Sequence, residues 1–182
     1  MMRPWIRQAL QRGFALKLKV RWTLLGALLA VTFKCFGCSF CDPEIIERQA
    51  FYEGKLIYAL CDYRPIMPGH SLVLPKRHVE RFEDLTPDEM AEIMQFIPKM
   101  HVAISQVQGT DDYALLQKNG KSIGQSVPHV HIHYIPKKSS DSGELTTLFR
   151  FFWVPRFSSA LSEEAIRDNV QAVKAALSEG LE

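Results

Sequence analysis

The stretch Gly124-Gln125-Ser126-Val127-Pro128-His129-Val130-His131-Ile132-His133-Tyr134-Ile135-Pro136 sets three histidines two residues apart, with apolar residues between them. In an extended strand the side chains at i, i+2 and i+4 share one face. The spacing therefore predicts a strand over residues 127–135, with the imidazoles of His129, His131 and His133 on one side and Val130 and Ile132 packed into the core on the other. Three unpaired imidazoles are poor core material, and a titratable face backed by an apolar one is the pattern of a functional cluster. Such a row can hold metal, exchange protons or act as a nucleophile. The polar, glycine-containing segment 119–126 that enters the strand is of a kind that turns backbone amides and hydroxyls toward an anion. Loop and histidines together suggest phosphate chemistry.

Upstream of that strand, residues 49–60 read as two short strands joined at Gly54, residues 62–69 as a loop with two prolines and a glycine, and residues 70–75 as a further strand closed by Pro75. Thr86-Pro87-Asp88-Glu89 has the outline of a capping box, and Met90, Ile93, Met94, Ile97, His101 and Ile104 follow at helical spacing. Pro98 should kink or divide this helix, because it supplies no amide for the turn. Residues 113–116 read as a strand, and residues 162–180 as a capped helix ending near Gly180. The fold class is α+β: a mostly antiparallel sheet with one central and one C-terminal helix.

Composition narrows the function classes. The 182 residues are 47% hydrophobic and 23% charged with four cysteines, which suits one ordinary globular domain and not a disordered polymer or a disulfide-stapled miniprotein. Seven of the 22 Lys and Arg residues precede the first acid, Asp42, which leaves 15 basic against 20 acidic residues, a net of −5, in the remainder. A body of that sign has no global attraction for a nucleic-acid polymer, so a small phosphate-bearing ligand held by local donors is expected instead. Residues 1–34 carry those basic residues around an apolar run of 12, short of the about 20 that a spanning helix needs. No clear cleavage pattern follows the run, so the segment reads as an extension, with membrane contact as the alternative. The expected organisation is a basic and apolar extension at 1–36, a domain at 37–138, and a C-terminal extension with a helix at 139–182.

Two motifs in this order resemble the histidine triad (HIT) family of nucleotide hydrolases and transferases. One is the H-x-H-x-H run within residues 124–136; the other is Pro68-Gly69-His70-Ser71-Leu72-Val73-Leu74-Pro75-Lys76-Arg77-His78, the strand that faces it. The resemblance covers about Cys38 to Pro136 and implies a HIT-like fold. It implies that His131 attacks an α-phosphorus to form a nucleotidyl-histidine that water then breaks, splitting one displacement into two steps. His129 is the first histidine of the triad; His133 and His70 would contact the phosphate or leaving group, and Gln125 and Ser126 would hold phosphate oxygens. Asp62 falls where the family places its ribose-hydroxyl acceptor, a job that suits a carboxylate because it accepts two hydrogen bonds. Phe40, Ile45 and Leu60 fall near the base-binding positions, with plain core packing as the alternative.

Residues 81–89 look like the fragile histidine triad branch, which hydrolyses dinucleoside polyphosphates. Ser126 suits the Hint-like phosphoramidase branch at least as well, and a non-catalytic nucleotide-binding regulator is a further alternative. Where the former branch has a glutamine on the phosphate chain, this sequence has Lys118, with Gln117 one step away. Strand alternation prevents both from doing one job, and a lysine would favour a more anionic chain or leaving group. The family is commonly dimeric, so a homodimer is expected, with magnesium arriving only alongside the nucleotide substrate.

Cys38-Ser39-Phe40-Cys41 is a C-x-x-C, and Cys35 forms an overlapping one. Alone such a pair is redox, structural or accidental. Some bacterial relatives in the resembling family bind zinc through this pair, a histidine after the Pro-Lys strand and the first triad histidine. That implies a closed structural zinc site of Cys38, Cys41, His78 and His129. Cys61 reads as core and His101 as structural; Lys137 and Lys138 read as solvated surface, and Trp153 and Pro155 as residues that could approach the nucleotide. Reduced thiols imply a cytoplasmic setting.

Overall fold

The computed structural model describes residues 37–138 and 159–180, so residues 1–36, Cys35 among them, and the expectation for Trp153 and Pro155 lie outside the described residues. The described elements are α1 (Pro43–Gln49), β1 (Ala50–Glu53), β2 (Ile57–Cys61), β3 (Ser71–Pro75), α2 (Pro87–Gln108), β4 (Tyr113–Gln117), β5 (Ile132–Pro136) and α3 (Glu163–Glu179). The five strands form one antiparallel sheet in the order β1-β2-β3-β5-β4. This is the expected α+β architecture.

Period-two alternation decides what each face of the sheet carries. Ile57, Ala59 and Cys61 of β2, Val73 of β3, and Ile132 and Tyr134 of β5 share one core with the inward residues of both long helices. α2 contributes Ile93, Phe96, Ile97, Met100 and Ile104, and α3 contributes Ile166, Val170, Val173 and Leu177. The opposite face of β2 and β3 presents Leu60, Leu72 and Leu74, which pack with Phe40 and Cys38 from the segment before α1. Both helices therefore cover one side, and the other is left for the site.

The helices start where the caps are. Thr86 Oγ1 accepts from the Glu89 amide at 3.2 Å while a Glu89 carboxylate oxygen accepts from the Thr86 amide at 2.8 Å, the reciprocal box its sequence outlines. Buried Glu89 is paired as well with Arg77, at 2.8 Å. Ser162 caps α3 by accepting from the Ala165 amide at 3.2 Å, and Gly109 ends α2 at φ +66°, a left-handed conformation that glycine reaches without Cβ strain.

Two expectations are corrected. Pro98 does not divide α2, which runs unbroken through it. Pro98 lies on the exposed side of the helix, one turn after Met94, which is 60% exposed. The strand expected over residues 127–135 is shorter and begins only at Ile132. Pro128 lacks an amide, the His129 amide turns back to the Val127 carbonyl at 2.8 Å, and the Val130 amide reaches Val79 outside the sheet at 2.6 Å. His129 and His131 are thus carried on an irregular lead-in, and His133 on the strand.

Candidate active site

A cavity of about 430 Å³ opens on the uncovered side of the sheet, lined among others by Phe40, Ile45, Asp62, His70, Lys118, Ser126, His131 and His133. The cavity brings together these residues, all singled out in the sequence. Leu60 and Gln125 are placed elsewhere. Leu60 is fully buried beneath Phe40 and Leu72. The Gln125 side chain is turned into its own loop, where its oxygen accepts from the Gly120 amide at 2.6 Å and its nitrogen donates to the Glu80 carbonyl at 2.9 Å. It braces the glycine segment between Gly120 and Gly124, both at positive φ. Of the two candidates at the end of β4, Lys118 lines the cavity, and Gln117 Nε2 donates to the Lys118 carbonyl at 3.1 Å.

Neighbouring groups assign the tautomer of each histidine here. His131 Nδ1 lies 2.6 Å from the His129 carbonyl, which can only accept, so Nδ1 carries the proton and Nε2 the lone pair. The Ile66 amide donates to His70 Nδ1 at 3.2 Å, which leaves the His70 proton on Nε2. That proton is donated to His133 Nδ1 at 2.9 Å, so His133 in turn bears its proton on Nε2. The cavity thus holds an imidazole with a free electron pair, His131, beside one with a free N–H, His133; their ring centroids are 4.8 Å apart. The arrangement can offer a nucleophilic lone pair beside a hydrogen-bond donor for a departing atom.

The electrostatics keep those rings neutral. Burial lowers His70 to about 3, helped by the charges of His131 and Lys118. Burial likewise lowers His133 to about 2, with His131, His70 and Lys118 adding to it. His131 is also lowered, chiefly by burial, with its bond to the His129 carbonyl opposing. Asp62 moves the other way: burial raises it to about 6 against the stabilising Arg64 amide, which it accepts at 2.8 Å. The Asp62 carboxylate lies 3.4 Å from His70 Nδ1, on the side of the ring away from the bond to His133. The ligand atoms of Asp62, His70 and His133 lie within 4.8 Å of one another, but both His70 nitrogens are engaged, one by the Ile66 amide and one by His133.

A second cluster lies behind the first. Cys38, Cys41, His78 and His129 place one ligand atom each within 4.8 Å of one another and could hold a metal ion. Cys38 Sγ is 3.5 Å from His129 Nδ1, and Cys41 Sγ is 3.4 Å from His78 Nδ1. His129 Nε2 lies 2.9 Å from the Pro75 carbonyl and must donate to it, so the lone pair of Nδ1 faces the cysteines. A carbonyl that accepts from the far nitrogen of a ligating imidazole fixes the orientation of its ring. Cys61 is separate and buried in the main core, where its thiol is pushed up to about 12 by burial and by nearby Asp62. His101 accepts or donates at 2.8 Å with the Tyr134 hydroxyl, the structural role expected of it.

Arg48, Tyr63 and Arg64 also line the cavity, and Ile66 supplies the amide that orients His70. Their sequence carries no signal for this, because α1 and the loop after β2 reach the site only by folding over the sheet edge.

Comparison with known proteins places this geometry. The sequence matches the family described as "HIT domain" over residues 44–140. It is 41% identical over 99 residues to a bis(5'-nucleosyl)-tetraphosphatase (asymmetrical) of Schizosaccharomyces pombe, covering 54% of each chain. It is 37% identical over 107 residues to a bifunctional bis(5'-adenosyl)-triphosphatase/adenylylsulfatase of Arabidopsis thaliana, covering 59% of each. The match thus spans little more than half the length of these relatives. Among solved structures, the Plasmodium falciparum diadenosine triphosphate hydrolase superimposes with a TM-score of 0.61 at 25% identity, over 73% of this chain and 78% of that one. With its three histidines placed by this fold, the chain belongs to the HIT domain family.

Proposed function

We propose that this protein hydrolyses dinucleoside polyphosphates or related nucleotides at the α-phosphate through a nucleotide bound covalently to His131. The observation that carries this reading is the tautomer pair in one cavity: a lone pair on His131 Nε2 and a proton on His133 Nε2. His131 attacks the α-phosphorus, His133 serves the departing atom, and His70 holds His133 in that tautomer. Ser126 lines the cavity where the phosphate would lie, Asp62 where a ribose would, and Phe40 and Ile45 where a base would. The names of the relatives support the same substrate class.

The test is turnover of diadenosine polyphosphates by the wild type and by His131→Ala, with intact mass spectrometry for the adduct. Wild-type turnover with a nucleotide adduct is expected, and the variant should lose at least about a thousandfold in kcat while still binding nucleotide. Turnover that survives in the variant would overturn the reading.

The second cluster suits structural zinc. Two thiolates and two imidazoles are a closed tetrahedral set, and ordinary zinc bond lengths imply sulfur–nitrogen separations of about 3.6 Å, against 3.4 to 3.7 Å here. Bound zinc would fix the segment before α1 to the start of the histidine run. Magnesium would enter only with the nucleotide. Thiolates kept reduced support a cytoplasmic location. A homodimer is supported by the outer edge of β4, which pairs with no further strand among the described residues and exposes Tyr113 and Leu115; Met94 and Val102 of α2 are exposed as well. The domain proper is residues 37–138, with extensions at 1–36 and 139–182, the latter bearing α3.

A further inference from the structure

Lys118 follows β4 and is half-buried at the cavity wall, beside His70, His131 and His133. A Cβ placed on Gly124 would lie 3.8 Å from its Nζ, so the ammonium sits over the glycine segment that leads into the histidine run. The other charged lining groups have protein partners: Arg48 pairs with Glu163 at 2.9 Å, Arg64 lies over the Tyr63 ring, and Asp62 accepts from the Arg64 amide. Among the described residues, the Lys118 ammonium makes no hydrogen bond or ion pair. A cation facing the imidazoles of His70, His131 and His133, with no ion-pair partner among the described residues, lacks a paired counter-charge, and an anionic ligand would supply one.

We propose that Lys118 selects substrates by the charge of the group that leaves the α-phosphorus, an inference that rests on the function proposed above. The chemistry follows the electron pairs. His131 Nε2 forms the nitrogen–phosphorus bond, and the bond from the α-phosphorus to its bridging oxygen breaks with the pair going to that oxygen. In a phosphoryl-type transition state negative charge accumulates on the departing oxygen and its phosphate chain, and a fixed cation there lowers the barrier. When the leaving atom is an amine nitrogen, the pair goes to nitrogen, which takes a proton from solvent water and departs neutral while the His133 Nε2–H hydrogen-bonds the departing atom. No anion then develops for Lys118 to stabilise. Water closes both reactions: its oxygen bonds to phosphorus, the nitrogen–phosphorus bond breaks with the pair returning to His131 Nε2, and the water's proton is released to solvent. Lys118 thus favours nucleotides whose leaving group is itself a phosphate ester over phosphoramidates of the same nucleotide.

The experiment measures kcat/KM for diadenosine tetraphosphate and for adenosine 5'-phosphoramidate in the wild type, Lys118→Met and Lys118→Arg. The readout is the ratio of the two values, which cancels any common loss from altered folding. In Lys118→Met the ratio should fall about tenfold or more, as expected for deleting one charge-assisted contact, and Lys118→Arg should restore most of it. A ratio that does not move, whether both activities fall together or neither falls, would overturn the role of Lys118 and leave the hydrolase reading intact. A wild type that turns over neither substrate and forms no adduct on His131 overturns that reading, and this one with it.

Discussion

At His129 the metal-type cluster and the reacting histidine meet in one residue: its ring faces Cys38 Sγ at 3.5 Å, and its carbonyl accepts the His131 proton at 2.6 Å. Phe40, between the two cysteines, lies against the His131 ring with centroids 5.0 Å apart. The price of this arrangement is a set of imidazoles held neutral by burial, and linkage gives its sign. His70 and His133 have folded values below the ordinary 6.5, so the unfolded chain binds more protons in that interval. Their contribution to stability is whole above pH 6.5 and is lost as the pH falls toward the folded values. Asp62 acts oppositely, since its folded value of about 6 exceeds 3.8 and its burial costs stability as the pH rises between the two. Two histidines against one carboxylate give a net loss on acidification. Urea unfolding at pH 7.5, 6 and 5 should show stability falling with pH, and the fall should be shallower in His70→Gln/His133→Gln. An equal slope in that variant would contradict the account.

Among the elements, β4 and α2 do the most beyond their own packing. β4 pairs β5 from Tyr113↔Pro136 to Gln117↔Ile132, which brings Lys118 beside the histidine run. Among the described residues its other edge pairs with no strand, which makes it a template for a further one. Tyr113 and Leu115, 42% and 44% exposed, alternate along it. Docking of this edge and of α2 against a second copy would bury those side chains and pair that backbone. Sedimentation should therefore give a dimer, and Leu115→Lys should weaken it at least about tenfold by setting like charges on an apolar contact. A wild-type monomer at micromolar concentration, or a dimer indifferent to the substitution, would count against this edge as the interface.

For the molecule as a whole, the sheet separates two functions. Its helical side supplies the large apolar core, and its open side carries the cavity and the Cys-His cluster. The cluster joins segments 91 residues apart in the chain, Cys38 and His129, so a bound ion would stabilise the folded state against a long loop of freed chain. Metal analysis of protein purified without added zinc or chelator should give about one zinc per chain, and chelation should lower Tm by roughly 10 °C or more. Content well below one zinc, or a Tm unmoved by chelator, would remove zinc from the account. Among the described residues no helix is long and apolar enough to cross a membrane.

The sequence by itself determined what depends on neighbours along the chain. The alternation of His129, His131 and His133 with Val130 and Ile132 put imidazoles opposite apolar side chains, and the boxed Thr86 and Glu89 started α2. The motif around His70 and the pair Cys38 and Cys41 were also legible, since each is a fixed spacing of chemically distinctive residues. Only the tertiary structure decided which nitrogen of each ring bears the proton, because the deciding groups, the Ile66 amide and the His129 and Pro75 carbonyls, are backbone atoms that any residue would supply. It also buried Leu60, turned Gln125 inward and brought Arg48 and Arg64 to the cavity. Those outcomes depend on chain crossings between segments far apart in sequence, where local periodicity carries no information.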